Sequence, residues 1–430
     1  MKIFFIGIGG IGMSALARFF VSQGHQVSGS DAHRSEIVDD LIKEGITIYI
    51  GHKSNNINNR LDRVVYSAAI SANNPEMKKT KKLKIQTQSY AQALGELTKN
   101  YFTIAICGSH GKSTTTALLS LVMIKAGFDP TVILGTKLKE FNNSNFRLGK
   151  SCYLIIEADE YSRAFHNYFP KIIVTTNVDK EHLDIYKNLK GVIKSFNLFF
   201  KNLQPGGIII TNRQDINTLK ALKNIHQKKV YFNQKTFEKH NLQITGFYNQ
   251  LNAEAVWQAA KYLGVARSVA ERSFSNYCGA WRRLEKISSK KSAWKGYTIF
   301  SDYAHHPTEI NATLQGLKEY YSKSKIICVF QPHQQDRLTR LFKDYIPCFK
   351  ASDELFLLPA HIVQGRDNYL SKRKSSLDLY RILKKKGVQV FYSHQLRDVL
   401  RQIEDSDFPK NTIIVFMGAG SLDAAVKRSL

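Results

Sequence analysis

One segment of this 430-residue sequence combines glycine, lysine and hydroxyl side chains in a pattern suited to bind phosphate. It follows the predicted strand Phe102–Cys107 and consists of Gly108, Ser109, His110, Gly111, Lys112, Ser113 and Thr114. Backbone N–H groups in such a loop surround phosphate oxygens, and a helix that begins there attracts their charge. Lys112 can reach the β- and γ-phosphates of ATP, and Ser113 can bind Mg²⁺. Because Ile106 stands where the first glycine of the common pattern falls, we interpret the loop as a shortened form.

Two later strands end in residues that can bind metal. Glu157 follows the predicted strand Tyr153–Ile156. Carboxylates at the carboxyl edge of a parallel sheet, beside a phosphate loop, suit Mg²⁺. His182 lies in the segment after the predicted strand Ile172–Thr176. We predict that His182 binds a second Mg²⁺ or contacts the transferring phosphate, with a structural histidine as the alternative.

A second glycine turn lies near the start of the chain. Residues 7–12 fit the pattern G-x-G-x-x-G after the predicted strand Ile3–Ile8, and helix-forming residues follow. Glycines let the backbone approach a diphosphate, and the helix N-terminus attracts its charge. The predicted binding residues are Gly9, Gly10, Ile11, Gly12 and Asp31. Asp31 ends a predicted strand, where its carboxylate can bind a ribose hydroxyl. The pattern indicates a diphosphate nucleotide more firmly than NAD, and a tight turn without a ligand is the alternative.

Composition narrows the classes of protein that the chain can belong to. It has 43% hydrophobic residues and a formal net charge of +27, which together predict a packed, strongly basic globular protein. The lysines are dispersed in short groups, which favours charge on solvated faces over nucleic-acid binding, while attraction of an anionic substrate stays open. No run approaches the roughly 18 apolar residues of a membrane span, so we expect no membrane insertion. Five scattered cysteines indicate reduced thiols, and we expect a cytoplasmic protein.

These motifs need a scaffold that places strand ends side by side. Strand-like apolar runs alternate with helical patterns throughout, which predicts an α/β fold with mainly parallel sheets. The length predicts two or three domains. New segments that carry glycine near their start begin near residues 98 and 278. They indicate three domains, at residues 1–98, 99–278 and 279–430.

The motifs occur together in the order and spacing of the Mur ligase family, and the resemblance covers essentially the whole chain. Further segments that carry it are Glu157–Glu160, His182–Asp184, Asn249–Ala253, Asp302–Glu309 and Gln331–His333. The last two resemble the branch of the family that joins L-alanine to UDP-N-acetylmuramate. The resemblance implies a Rossmann-like N-terminal domain for the UDP-sugar, a central P-loop-type ATPase domain for ATP and Mg²⁺, and a Rossmann-like C-terminal domain on the amino-acid side. The implied reaction activates the lactyl carboxylate as an acyl phosphate, which the alanine amine attacks.

The resemblance also implies roles for single residues. The implied ATP-binding residues outside the glycine-lysine loop are Asn249, Asn252, Arg283 and Asp302. The implied amino-acid-binding residues are His333 and Arg337. The implied catalytic residues are Lys112, His182 and Arg283. The implied metal ligands are Ser113, Glu157 and His182.

The sequence departs from the family pattern at several positions. Gln334 stands where alanine-adding members often have arginine, which predicts weaker binding of the free amino acid, and Trp281 replaces a usually small residue. The pair Glu160-Tyr161 resembles murein-tripeptide ligases, so attachment of a preformed tripeptide to the same sugar nucleotide is the alternative function. A nicotinamide oxidoreductase would explain the first glycine turn alone, and a basic nucleic-acid-binding ATPase would explain the charge. The oligomeric state stays open.

Overall fold

The computed structural model describes residues 1–363 and 373–430, which form three sheets and two compact units. The first unit consists of Met1–Lys180, Lys190–His240 and Leu251–Ser275, and the second of Glu181–Leu189, Asn241–Gln250 and Asn276–Leu430. The helices of these residues are α1 (Ile11–Ser22), α2 (Glu36–Lys43), α3 (Pro75–Lys82), α4 (Tyr90–Asn100), α5 (Lys112–Lys125), α6 (Leu183–Tyr186), α7 (Leu189–Phe200), α8 (Ile216–Ala221), α9 (Phe247–Tyr262), α10 (Arg267–Asn276), α11 (Pro307–Tyr320), α12 (Gln335–Arg340), α13 (Phe342–Tyr345), α14 (Ser376–Lys385), α15 (Leu396–Glu404) and α16 (Leu422–Ser429). In the part of the chain that the structure describes, none of them combines the length and apolar character that a membrane crossing requires.

The first sheet lies in the first unit, and its strands are all parallel. Its strands are β1 (Lys2–Ile6), β2 (Gln26–Asp31), β3 (Thr47–Ile50), β4 (Arg63–Tyr66) and β5 (Gln86–Ser89). They lie in the order β3-β2-β1-β4-β5. Strand β1 ends at Ile6 rather than at the predicted Ile8, because Gly7 adopts a φ of +81° and turns the chain. Phe4 and Val64 are buried on this sheet and form part of its core.

The second sheet, also in the first unit, brings three strand ends together. Its strands are β6 (Phe102–Cys107), β7 (Thr131–Leu138), β8 (Ser144–Arg147), β9 (Tyr153–Glu157), β10 (Ile172–Thr175), β11 (Ile208–Asn212) and β12 (Lys228–Phe232). The order is β12-β11-β10-β6-β9-β7-β8, and β7 and β8 form its antiparallel pair. Because β6 pairs in parallel with both β9 and β10, the segments that follow these three strands meet at one edge. Helix α5 begins at Lys112 rather than at the predicted Thr114.

The third sheet lies in the second unit and is covered on both faces. Its described strands are β13 (Glu285–Ile287), β14 (Thr298–Asp302), β15 (Ile326–Phe330), β16 (Glu354–Leu357), β17 (Val390–Tyr392) and β18 (Ile413–Met417), in the order β13-β14-β18-β15-β16-β17. On β15, Cys328 faces one apolar core and its neighbours Ile327 and Val329 face the other. Successive residues of a strand point to opposite faces, so a strand buried on both faces is apolar throughout. Burial of each large aliphatic side chain contributes about 1.5–3 kcal/mol.

The prediction of an α/β fold with mainly parallel sheets is confirmed. One sheet falls in each of the ranges 1–98, 99–278 and 279–430. Helix α4 continues through residue 98, and the first two sheets share one compact unit. The domain boundaries therefore stay a prediction.

Candidate active site

Two glycines of the glycine-lysine loop hold conformations that other residues rarely adopt. Gly108 has a φ of +139° and Gly111 a φ of +81°. A Cβ atom added to Gly108 would collide with the side chain of Thr176, and one added to Gly111 would lie 2.6 Å from Oδ1 of Asn252. Asn252 is therefore placed against the loop. Only glycine lets the backbone turn here and keep its N–H groups available to a ligand.

The ammonium group of Lys112 folds back onto the loop and onto a buried carboxylate. Its Nζ lies 2.6 Å from the carbonyl oxygen of Gly108 and 2.8 Å from Oε2 of Glu160. Burial alone would lower the pKa of Lys112, but the Glu160 carboxylate outweighs this effect and the pKa is raised. Burial raises the pKa of Glu160, and the Lys112 ammonium opposes that rise. Lys112 is thus held as a cation beside the glycine loop.

Ser113 and Glu157 form the predicted metal-binding pair. The Ser113 hydroxyl donates a hydrogen bond of 3.1 Å to Oε1 of Glu157. The other carboxylate oxygen accepts from the N–H of Gly135 at 3.0 Å. A Cβ added to Gly135 would lie 2.5 Å from that oxygen, so the carboxylate occupies a cradle that only glycine leaves open. A hydroxyl and a carboxylate held side by side are hard oxygen donors that fit Mg²⁺.

Ser109 and His110 anchor the loop to the segment after β10. The Ser109 hydroxyl accepts a hydrogen bond of 2.8 Å from the backbone N–H of Asp179. Nε2 of His110 lies 3.1 Å from an oxygen of the Asp179 carboxylate. The N–H of His110 donates to Oδ1 of Asn177 at 3.0 Å. Both side chains bind protein groups and thereby fix the loop.

The first glycine turn is fixed by the acidic residue that we predicted to bind ribose. Asp31 accepts a hydrogen bond of 2.9 Å from the N–H of Gly9. Gly10 precedes the first turn of α1, and Ile11 begins the helix. A Cβ added to Gly12 would lie 2.7 Å from the ring of Tyr90. The turn therefore ends at a helix N-terminus, the arrangement that attracts a diphosphate.

In the second unit, Arg337 is paired with a carboxylate. Its guanidinium donates a hydrogen bond of 2.7 Å to Oε1 of Glu181, and both side chains are buried. Nε2 of His305 lies 3.6 Å from the same oxygen, and Nε2 of His306 lies 4.0 Å from the other. Burial alone would raise the pKa of Glu181, but Arg337 and the neighbouring histidines, including His182, hold it well below its usual range.

Asp302 and Arg283 lie together in the second unit. The Asp302 carboxylate accepts hydrogen bonds from the N–H groups of Leu284, at 3.0 Å, and Ala304, at 2.7 Å. Burial raises the pKa of Asp302 to about 6, although these N–H groups and Arg283 oppose the rise. The guanidinium carbon of Arg283 lies 4.9 Å from the centre of the Tyr303 ring.

The remaining predicted residues are also in the second unit. His182 has a φ of +52° and directly precedes α6. Asn249 is buried on α9 and donates a hydrogen bond of 2.6 Å to the carbonyl oxygen of Thr245. The ring centre of His333 lies 5.8 Å from that of His305 and 5.5 Å from that of His361. Gln334, the departure from the family pattern, is 1% exposed.

Family models account for most of the chain. The model of the Mur ligase family catalytic domain matches residues 2–102, and that of the Mur ligase middle domain matches residues 106–264. A third, for the Mur ligase glutamate ligase domain, matches residues 282–420. The chain belongs to the Mur ligase family. The prediction made from the motifs is thus confirmed.

Several relatives of this Mur ligase are similar along almost their whole length. This chain is 35% identical over 454 residues to the UDP-N-acetylmuramate–L-alanine ligase of Caldicellulosiruptor saccharolyticus, and the match covers 99% of this chain and 97% of the relative. It is 36% identical over 448 residues to that of Clostridium acetobutylicum, covering 98% and 95%. Among solved structures, the UDP-N-acetylmuramate–alanine ligase of Thermotoga maritima matches with a TM-score of 0.83 at 25% identity, covering 100% of this chain and 98% of that one. A murein peptide ligase of Psychrobacter arcticus has the same fold, with a TM-score of 0.72 at 21% identity, covering 100% and 98%.

Three residues of this Mur ligase were missed as site residues by sequence reasoning. Glu160 and Glu181 lie inside segments that we recognised, but their cationic partners are distant in sequence. Tyr90, against the first glycine turn, belongs to no recognised motif.

Proposed function

We propose that this Mur ligase uses ATP to form an amide bond between the lactyl carboxylate of UDP-N-acetylmuramate and L-alanine, a step in peptidoglycan precursor synthesis. The observation that carries the proposal is the placement of Lys112, Ser113 and Glu157 around one glycine loop. Such a loop positions a nucleotide triphosphate for transfer of its terminal phosphoryl group. Relatives that share 35–36% identity over nearly the whole chain and carry this ligase name support the two substrates.

The first step is phosphoryl transfer to the substrate carboxylate. A carboxylate oxygen attacks the γ-phosphorus of ATP, the bond to the β-γ bridging oxygen breaks, and ADP leaves. The substrate becomes an acyl phosphate. Loop N–H groups and Lys112 hold the phosphate oxygens and stabilise the charge that shifts between them. In this step the Lys112 ammonium group gives up its hydrogen bond to the Glu160 carboxylate and binds a phosphate oxygen instead.

Ser113 and Glu157 are the proposed ligands of Mg²⁺. A bound Mg²⁺ neutralises charge on the phosphate oxygens. Glu157 needs no rearrangement to serve in this way, because Gly135 and Ser113 already orient both of its oxygens. His182 is proposed to bind a second Mg²⁺ or to contact the phosphate.

The second step forms the amide bond. The amine of L-alanine attacks the acyl carbon, loses a proton and expels inorganic phosphate. His333 and Arg337 are proposed to hold the amino acid, since a guanidinium matches a carboxylate in geometry. Because Arg337 already binds Glu181, the amino-acid carboxylate would use the remaining N–H groups of the guanidinium.

The other predicted residues keep their roles as proposals. The residues proposed to bind ATP outside the loop are Asn249, Asn252, Arg283 and Asp302. The residues proposed to bind the UDP-sugar are Gly9, Gly10, Ile11, Gly12 and Asp31. Attachment of a preformed tripeptide is not favoured, because the murein peptide ligase neighbour is 21% identical and shows the fold alone.

The test is phosphate release by the purified protein with ATP, Mg²⁺, UDP-N-acetylmuramate and a panel of amino acids and tripeptides. We expect release that requires the sugar nucleotide and is fastest with L-alanine, and a product whose mass equals the sum of the two substrates less water. DNA and RNA serve as negative controls. Release that depends on tripeptide and not on L-alanine would refute the proposal.

A further inference from the structure

Tyr90 lies against the first glycine loop and within electrostatic range of the acidic residues beside the second. A Cβ atom added to Gly12 of the first loop would lie 2.7 Å from the Tyr90 hydroxyl oxygen. The charges of Asp159 and of Glu157, the last residue of strand β9, also act on this phenol. One hydroxyl therefore adjoins the turn proposed for the sugar nucleotide and lies within electrostatic range of the acidic cluster beside the phosphate loop.

The position of Tyr90 is set by the packing of helix α4. Tyr90 is the first residue of this helix, and a capping box between Ser89 and Gln92 fixes where the helix begins. Gly95, one turn further along, packs against the backbone of Asn167, because a Cβ there would collide with the carbonyl oxygen of Asn167. Asn167 ends the segment that leads away from the Glu157–Glu160 acidic cluster. Tyr90 is thus held between elements and does not lie on a free loop.

The chemistry of Tyr90 at this place is that of a hydrogen-bond donor. Burial raises its pKa, and the charges of Asp159 and Glu157 raise it further, so the phenol keeps its proton at neutral pH. Within residues 1–363 and 373–430, no protein group accepts a hydrogen bond from this hydroxyl. The side chain is only partly buried, so a ligand can reach it. A protonated phenol donates its strongest hydrogen bond to an anionic oxygen. Near two carboxylates, such an acceptor needs a cation that compensates their charge.

We infer that Tyr90 is a binding residue whose hydroxyl donates a hydrogen bond to an anionic oxygen of the sugar nucleotide, where the nucleotide passes from the first glycine turn to the phosphoryl-transfer site. This inference rests on the proposed function. Two groups of the substrate offer such an oxygen, the diphosphate and the lactyl carboxylate. A hydrogen bond to a charged acceptor changes affinity by roughly 10- to 100-fold.

The test compares Tyr90→Phe with the wild-type protein, because this substitution removes only the hydroxyl oxygen. Calorimetric titrations without ATP measure the Kd of UDP, UDP-N-acetylglucosamine and UDP-N-acetylmuramate. We expect Tyr90→Phe to raise the Kd of UDP-N-acetylmuramate about 10- to 100-fold while the KM of ATP stays unchanged. Weakening of all three ligands assigns the bond to the diphosphate. Weakening of UDP-N-acetylmuramate alone assigns it to the carboxylate.

The control is Tyr49→Phe, which removes a hydroxyl from a tyrosine that is 44% exposed on β3 of the first sheet. We expect it to bind all three ligands as the wild type does. An equal Kd for UDP-N-acetylmuramate in Tyr90→Phe and wild type would overturn the inference. Failure of the wild type itself to bind the sugar nucleotide would instead count against the proposed function, so the two failures are distinguishable.

Discussion

Glu181 and Arg337 form a buried ion pair of 2.7 Å inside the second unit, although 156 positions separate them in sequence. The resemblance to the family implied that Arg337 holds the amino acid, and it assigned no role to Glu181. The structure shows that the guanidinium is already oriented by this carboxylate. Arg337 is therefore preorganised, and its charge is compensated before any substrate binds.

Removal of one partner of this pair should destabilise the second unit strongly. Glu181→Gln leaves Arg337 buried without a counter-charge, and we expect a loss of about 3–5 kcal/mol in the free energy of unfolding. The double variant Glu181→Gln/Arg337→Met should lose less than Glu181→Gln alone, because it buries no unpaired charge. Urea unfolding followed by the fluorescence of the tryptophans, among them buried Trp294, measures both.

The matched control for this pair is Glu319→Gln, an exposed glutamate on α11, which should unfold like the wild type. The pKa of Glu181 is depressed in the folded protein. The Glu181 carboxylate therefore stabilises the folded protein above the ordinary carboxyl pKa of 4.5, and this contribution is lost as the pH falls below that value. The difference between wild type and Glu181→Gln should therefore shrink below about pH 4.5. A difference that is independent of pH from 7 to 3 would contradict the assignment.

Lys112→Met should nearly abolish ligation and leave binding of UDP-N-acetylmuramate intact. The ammonium group serves the ATP phosphates, and loss of one preorganised donor costs about 10²- to 10³-fold in kcat. Steady-state phosphate release and a titration with the sugar nucleotide measure the two effects. Lys125→Met, at the exposed far end of the same helix α5, is the control. Near-normal turnover by Lys112→Met would remove the phosphate-loop assignment.

Glu157→Gln should raise the Mg²⁺ concentration that gives half-maximal activity. The amide oxygen can accept from the N–H of Gly135 and the amide nitrogen can donate to the Ser113 hydroxyl, so the fold should survive while the charge that attracts the cation is lost. Activity as a function of Mg²⁺ concentration measures the shift, which we expect to be at least about 10-fold. Glu140→Gln, at an exposed position of the same unit, should give the wild-type curve. The metal role is wrong if both variants respond to Mg²⁺ alike.

Asp302 should make the second unit less stable as the pH rises. Its pKa is about 6 in the folded protein against an ordinary value of 3.8, so the folded state holds the proton more tightly. The resulting stabilisation is present below about pH 4 and is lost between about pH 4 and pH 6, and two pKa units correspond to about 3 kcal/mol. Over that range the wild type should lose stability relative to Asp302→Asn.

Urea unfolding at pH 4, 5, 6 and 7 tests this pH dependence. Asp407→Asn, an exposed aspartate of the same unit, should follow the wild-type pH dependence. Parallel curves for wild type and Asp302→Asn between pH 4 and pH 6 would show that Asp302 titrates like an exposed carboxyl.

Local patterns in the sequence were sufficient for several strands and for the two glycine loops. The strand Phe102–Cys107 was predicted with its observed bounds, because an apolar run that ends in glycine leaves few alternatives. Two other boundaries, the end of β1 and the start of α5, were less well predicted. Helix α5 starts before the predicted residue, because Gly111 in the left-handed region lets Lys112 enter the helix. Such a difference depends on a single φ angle, which composition and spacing do not reveal.

The sequence by itself determined the family, the α/β class and the two glycine loops, since each depends on residues that are neighbours in the chain. Only the tertiary structure decided which charges meet. Lys112 and Glu160 lie 48 positions apart and come together because β6 and β9 are adjacent parallel strands whose carboxyl ends share one edge. Tyr90 reaches Gly12 because α4 packs between distant segments of the first unit. Strand order and helix packing minimise the exposed apolar surface of the whole chain, so no local pattern can specify these pairs.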